Sequence, residues 1–111
     1  MIFYIPQKGD IIEMDFNPTK GHEQNGKRPA LIISNETYHR RTKLIIVCPI
    51  SNTSNDFPMH IKLDDRTKTT GAILAQHVRT IDPAVRNVAF IEPMPSDLIE
   101  QTIKIIELCF I

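Results

Sequence analysis

Apolar residues follow two kinds of pattern along the chain. In residues 9–16 and 58–63 they alternate with polar residues, which predicts strands with one buried face. In residues 30–33 and 44–50 aliphatic side chains follow one another almost without a break, which is typical of strands that are buried on both faces. The sequence therefore predicts a sheet with these two aliphatic segments at its centre.

The segments between and after these strands are more polar. Residues 35–43 are polar and basic and predict a hairpin-like connection, with a short helical turn as the alternative. Residues 64–70 predict a charged turn. Residues 71–81 predict either a pair of strands or one long bent strand, and residues 88–91 predict a last short strand.

The apolar period changes near the C-terminus. After the break Pro93-Met94-Pro95, either Ser96 or Asp97 is expected to cap a helix. Its apolar stripe comprises Ile99, Ile103, Ile106 and Phe110, widened by Leu98, Thr102, Ile105 and Cys109. This stripe could pack against the sheet or partly against a second subunit. Short strands followed by one amphipathic helix predict an α+β fold built on a small barrel.

Composition sets the class of protein. With 111 residues, 41% hydrophobic and 23% charged, the chain is expected to form one soluble domain over residues 1–111. No segment is long and apolar enough to span a membrane, and the N-terminus has no basic leader, so a cytoplasmic location is expected. Cys48 and Cys109 lack metal-ligand spacing and are predicted to be buried thiols. No metal site and no cofactor are expected.

The charge distribution narrows the possible partners. Thirteen basic and thirteen acidic residues give a net charge of zero, which argues against binding of polyanions by bulk electrostatics. Residues 20–43, however, hold six Lys or Arg against two Glu. Such a local positive patch fits either a short nucleic-acid site or a solvated face.

The loop that precedes the first central strand carries the candidate chemistry. Arg28 lies between a glycine-containing loop and a strand, and Pro29 fixes the next backbone dihedral, so its guanidinium is expected to be held in place for a phosphate. A surface salt bridge is the alternative. Glu23 and His22 in the same loop could act as proton acceptor and donor. A base, a cation and an acid are the minimum groups that RNA cleavage needs, and this loop could supply all three.

The same residues carry a resemblance to a known family. The stretch GDIIEMDFNPTKGHEQNGKRPALIIS, together with VCPIS, TGAILAQHVRTID and the closing helix, closely resembles the MazF/PemK family of toxin endoribonucleases. Asn17 stands where the family usually has Asp before Pro18. The resemblance implies a small SH3-like β-barrel of the CcdB/MazF type that forms a homodimer. It also implies that the protein is the toxin of a type II toxin–antitoxin module. Such a toxin is a sequence-specific, metal-independent endoribonuclease of single-stranded RNA. Its implied partner is an antitoxin that inhibits it through a disordered acidic segment.

The resemblance also implies roles for individual residues. Arg28 and Ser51 match the positions that flank the scissile phosphate, and Glu23 and His22 match loop positions implicated in catalysis in some members. Further residues are predicted to contact RNA: Lys20, Gln24, Lys27, Asn52, Phe57, Gln76 and His77. Some members use an Arg and an Asp where this chain has Leu74 and Gln76, neither of which can be an acid or a base. Arg79, which precedes Thr80-Ile81-Asp82, is expected to form a structural ion pair.

Two other functions remain open at this point. The same fold occurs in toxins that look like CcdB and bind DNA gyrase, although these lack the E-Q-x-G-x-R-P loop. A module that only binds a peptide or RNA is the third reading, since fold alone does not define function.

Overall fold

A computed structural model describes residues 4–16, 26–53 and 58–111. Its strands are β1 (Asp10–Asp15), β2 (Lys27–Ile32), β3 (Ile45–Ser51), β4 (His60–Lys62), β5 (Ala72–Leu74), β6 (Arg79–Ile81) and β7 (Ala89–Pro93). Its helices are α1 (Glu36–Thr42) and α2 (Ser96–Leu108), and a 3₁₀ helix (Ala75–His77) separates β5 from β6.

The strands form one antiparallel sheet. Their order is β4-β5-β3-β2-β1-β7. Strand β6 lies outside this order, because it pairs with the start of β3 while β5 pairs with the end of β3. The predicted central strands are therefore central, and the predicted closing helix is present. Strand pairing within the described residues leaves β4 and β7 as open ends. An α+β fold with an antiparallel sheet is thus confirmed, whereas closure into an SH3-like barrel stays a prediction.

The central strands bury side chains on both faces. On one face, Ile11, Leu31 and Cys48 belong to a core that α2 covers through Leu98. The opposite face carries a second core: Ile12, Met14, Ala30, Ile32, Ile45, Val47 and Ile81. Because adjacent residues of one strand enter different cores, the aliphatic runs have no polar interruptions.

Helix α1 replaces the hairpin-like connection that the sequence favoured, and the helical alternative is correct. Asn35 begins it, since its side chain accepts a hydrogen bond from the backbone N–H of Tyr38 at 2.9 Å. Lys43 ends it in the left-handed conformation, with φ of 64°. These two end residues therefore favour a helix between two segments whose own pattern is typical of strands.

Helix α2 departs from the prediction at both ends. Pro95 occupies the cap position without a side-chain hydrogen bond, and the carboxylate of Asp97 instead accepts two bonds from Arg66, at 2.8 and 3.0 Å. At the other end, Cys109 is exposed and Phe110 is 81% exposed, because both lie beyond the last helical turn. The prediction of two buried thiols is thus correct only for Cys48, whose pKa burial raises to about 12.

Arg66 ties the charged turn to the start of α2. It also pairs with Asp64, and the hydrogen bond from the Arg66 side chain lowers the pKa of Asp64 from 3.8 to about 2. A lowered carboxyl pKa stabilises the fold above the unfolded value, and this stability is lost as pH falls through about 2. We therefore expect Arg66→Gln to lower the melting temperature at neutral pH, with a deficit that shrinks below about pH 4.

Melting curves of both proteins between pH 2 and pH 7 provide the measurement. Arg40→Gln is the matched control, because among the described residues Arg40 pairs only with Glu36, in an exposed contact of 3.3 Å within α1. A deficit for Arg66→Gln that stays constant over the whole pH range would contradict the assignment.

Candidate active site

An open groove of about 610 Å³ lies at the end of the sheet where β2 and β3 separate. Its lining comes from four parts of the chain: Phe16 after β1, Arg28 of β2, the β3 end with Pro49, Ile50, Ser51 and Thr53, and the segment Leu74, Gln76, His77, Val78 and Arg79. The groove borders both cores, because Phe16 packs against the second core, Ile50 belongs to the first and Val78 packs against the first.

Two prolines explain why the sheet opens here. The β2–β3 ladder ends with Ala30 paired to Pro49, and the next residue of β2 toward the groove is Pro29. Neither proline has an N–H to donate. Beyond the last pair of this ladder lie Arg28 on β2 and Ser51 at the end of β3, the two residues that the family resemblance implied would flank a phosphate. Both side chains line the groove.

Arg28 is exposed at the start of β2 and faces Met14 across the β1–β2 ladder. Among the residues that the structure describes, it has no hydrogen-bond or ion-pair partner. The salt-bridge alternative is therefore not seen within these residues, and its guanidinium keeps all its donors for a ligand.

Ser51 is fixed by the turn that follows it. Its hydroxyl oxygen accepts a bond from the backbone N–H of Thr53 at 3.1 Å and lies 2.8 Å from the Thr53 hydroxyl oxygen. The carbonyl oxygen of Ser51 lies against Gly71, where a Cβ atom would come within 2.5 Å of it. Two constraints thus hold the Ser51 backbone in place at the rim of the groove.

The third wall is the segment from Leu74 to Arg79. Residues 71–81 form two strands that both pair with β3: β5 with Ile50 and Ser51, β6 with residues 45–47. Between these ladders the chain turns through the 3₁₀ helix, beside Pro49. This turn brings Gln76 and His77, both predicted RNA contacts, into the groove.

Phe16 and Arg79 form a stacked pair inside the groove. The guanidinium carbon of Arg79 lies 5.5 Å from the centre of the Phe16 ring. Arg86 stabilises the backbone at Phe16, since its side chain donates to the backbone carbonyls of Asp15 and Phe16 at 3.2 and 2.8 Å. Arg79 was expected to form a structural ion pair, but across the described ranges it has none.

The groove is positively charged. Arg28 and Arg79 line it, and none of its described lining residues is acidic. Arg79 and Phe16 are functional candidates that sequence reasoning missed. Their signal was the stretch VRTID, in which Arg79 shares a strand face with the buried Ile81.

Several predicted site residues lie elsewhere. Lys27 is exposed opposite Asp15, and Asn52 is bonded by the Thr70 hydroxyl at 3.1 Å; neither lines the groove. Other predicted residues lie outside the described ranges: Lys20, His22, Glu23, Gln24 and Phe57. The residues that flank 17–25 are nevertheless placed, since the Phe16 N–H donates to the Gly26 carbonyl at 3.2 Å. Phe16 and Gly26 thus lie side by side, and Phe16 lines the groove.

The described residues contain neither a metal-ligand cluster nor a membrane-spanning helix. In residues 4–16, 26–53 and 58–111, no group of three or more His, Cys, Asp or Glu side chains could hold a metal ion. Over the same residues, no helix has the length and apolar character that crossing a membrane requires.

The fold and the groove define a small antiparallel domain with a cationic cleft of the kind that binds a phosphodiester chain. Residues 7–110 match the family described as PemK-like, MazF-like toxin of type II toxin-antitoxin system. This chain belongs to that family.

Individual relatives agree with this assignment. The endoribonuclease toxin MazF of Escherichia coli K12 is 37% identical over 78 residues, which are 70% of this chain and 69% of that protein. The endoribonuclease PemK of Escherichia coli is 31% identical over 101 residues, covering 87% of this chain and 76% of that protein. These relatives support endoribonuclease activity and confirm the family prediction.

A solved structure supports the fold. The crystal structure of MazE-MazF (Form-III) from Deinococcus radiodurans superposes with a TM-score of 0.86 at 26% identity, and the match covers 96% of each chain. The antiparallel sheet with two helices is therefore a MazF-like fold.

Proposed function

We propose that this toxin cleaves single-stranded RNA at specific short sequences, without a metal ion, in the groove that Arg28 and Ser51 share. The single observation that supports the proposal is that Arg28 and Ser51 line the same groove, together with Arg79 and with no Asp or Glu among its described lining residues. The guanidinium of Arg28 can bind two phosphate oxygens at once. It thereby stabilises the charge that builds up on phosphorus during transfer.

The reaction begins when the ribose 2′-hydroxyl loses its proton and its oxygen attacks phosphorus. The bond from phosphorus to the 5′-oxygen then breaks, leaving a 2′,3′-cyclic phosphate and a 5′-hydroxyl. Ser51 donates a hydrogen bond to a phosphate oxygen. Glu23 is the base proposed from the sequence, and His22 is a second loop residue proposed there to take part in catalysis. Neither needs a metal ion for these steps.

Specificity for single strands is proposed to rest on the stacked pair of Phe16 and Arg79 in the groove. The ring of Phe16, with Arg79 stacked on it, offers a flat surface to a base that has left its own stack. Gln76 can read a base edge through its amide. Lys20, Gln24, Lys27, Asn52 and Phe57 stay predicted RNA contacts that extend the site along the strand.

The test is cleavage of a defined transcript by the purified toxin in the presence of EDTA. We expect cuts in unpaired regions at a recurring short sequence, with 5′-hydroxyl and cyclic-phosphate ends that sequencing of ligated fragments identifies. Loss of cleavage on chelation would contradict the metal-independent mechanism. Growth arrest that induces DNA damage signals without RNA cleavage would instead favour the gyrase-binding alternative.

The proposal includes two partners. The MazE-MazF structure that this chain resembles supports a cognate antitoxin, and a disordered acidic segment would suit the cationic groove. A homodimer is proposed from the family resemblance, together with the SH3-like barrel and a cytoplasmic location. An antitoxin that enters the groove would block RNA without any covalent change.

A further inference from the structure

RNA cleavage needs two proton transfers, and most of the groove cannot perform either. Arg28 and Arg79 keep their protons at all ordinary pH values. The hydroxyls of Ser51 and Thr53 and the amide of Gln76 do not titrate near neutrality. Of the described residues that line the groove, His77 is the one whose side-chain type exchanges protons in that range.

The backbone beneath His77 is held firmly. The Val78 N–H donates to the Ala75 carbonyl at 3.3 Å, Ala75 is buried in the first core, and Val78 packs against that core. The neighbouring Gln76 amide donates to His60 Nε2 at 2.9 Å. His77 itself is exposed, and within the described part of the chain neither of its ring nitrogens has a hydrogen-bond partner. A well-held backbone thus presents an exposed imidazole at the groove, with neither ring nitrogen bonded to another described residue.

The charged side chains that line the groove with His77 are both arginines. Arg28 faces the groove from β2 and Arg79 from β6, while β3 contributes only uncharged residues to the lining. His60 on β4 lies on the Gln76 side. Helix α2 also packs against the 3₁₀ helix, but its acidic residues are exposed and none lines the groove. With a phosphodiester between the two arginines, the nearest negative charge to His77 would belong to the substrate.

We infer that His77 is the general acid of the cleavage reaction, an inference that rests on the proposed ribonuclease function. As the bond from phosphorus to O5′ breaks, the imidazolium of His77 gives its proton to that oxygen. The electron pair of the bond leaves with O5′, which becomes the 5′-hydroxyl, and His77 regains a proton from water. The 2′-hydroxyl proton goes to the separate base. His77 thereby supplies acid chemistry in a chain that has Leu74 and Gln76 where some relatives have ionisable groups.

A modified substrate distinguishes this role from simple RNA binding. Two short RNAs contain the bond that the wild-type toxin cuts, one with the natural 5′-oxygen and one with sulfur at that position. Sulfur leaves as a thiolate and needs no proton. We expect His77→Ala to slow cleavage of the natural RNA about 100-fold. The 5′-thio RNA should be cut by this variant at nearly the wild-type rate.

The pH dependence gives a second readout. If His77 must be protonated, the kcat/KM of the wild type falls on the alkaline side, and this decline is absent in His77→Ala and His77→Gln. Gln76→Ala is the matched control, since loss of a binding contact slows both RNAs equally. Equal slowing of both RNAs by His77→Ala, in a variant that melts like the wild type, would overturn the acid role. Failure of the wild type to cut either RNA would reject the ribonuclease proposal itself.

Discussion

Arg28→Ala is expected to lower RNA cleavage at least about 100-fold, equivalent to about 2.7 kcal/mol of transition-state stabilisation. The reason is geometric. Arg28 lies just beyond the point where the β2–β3 ladder ends and lines the same groove as Ser51, with no Asp or Glu among the described lining residues. Rate measurements on a fixed RNA substrate, with RNA concentration varied, separate an effect on kcat from one on KM.

The fold should survive this substitution. Arg28 is exposed and forms no hydrogen bond or ion pair with any residue in the described ranges, so we expect a nearly unchanged melting temperature. Arg28→Lys keeps the charge but loses the bidentate geometry of the guanidinium, so its rate of RNA cleavage should lie between those of the wild type and the alanine variant. Lys104→Ala, which removes one positive charge from the exposed side of α2, is the control and should cut normally. Unimpaired cleavage by Arg28→Ala would refute the site.

The central strands were predictable because their signal is continuous. Residues 30–33 and 44–50 are aliphatic at consecutive positions, and only burial on both faces uses such a run. Helix α1 was harder, since seven residues carry little periodicity and its ends depend on Asn35 and Lys43. At α2 the expected cap failed for a different reason. The partner of Asp97 is Arg66, 31 residues away in sequence, and no local pattern reveals that pairing.

The site divides in the same way. Arg28 and Ser51 were identified from the motif and its family, and the structure brings them to one groove. Arg79 was misassigned because its stacking on Phe16 joins two segments that meet only through the order of the strands. His77 was recognised only as a possible RNA contact. Its position beside the arginines depends on the 3₁₀ turn, which separates two ladders on the same edge of β3.

Gly71→Ala is expected to damage both the fold and the site. Gly71 has a φ of +111°, where an L-residue costs about 1–3 kcal/mol of backbone strain. A Cβ atom there would also lie 2.5 Å from the Ser51 carbonyl oxygen and 2.8 Å from its carbonyl carbon. Backbone atoms cannot rotate away, so Ser51 must shift with its strand. We expect a lower melting temperature and at least about tenfold weaker cleavage by the fraction that remains folded.

Gly9→Ala separates these two effects. Gly9 also has a positive φ, of +93°, but its added Cβ would meet Cδ1 of Ile99 at 2.7 Å, the far end of a flexible side chain outside the groove lining. Both variants should therefore lose stability, while only Gly71→Ala should lose activity per folded molecule, measured well below its melting temperature. Equal specific activity in the two variants would mean that the position of the Ser51 backbone does not matter for cleavage.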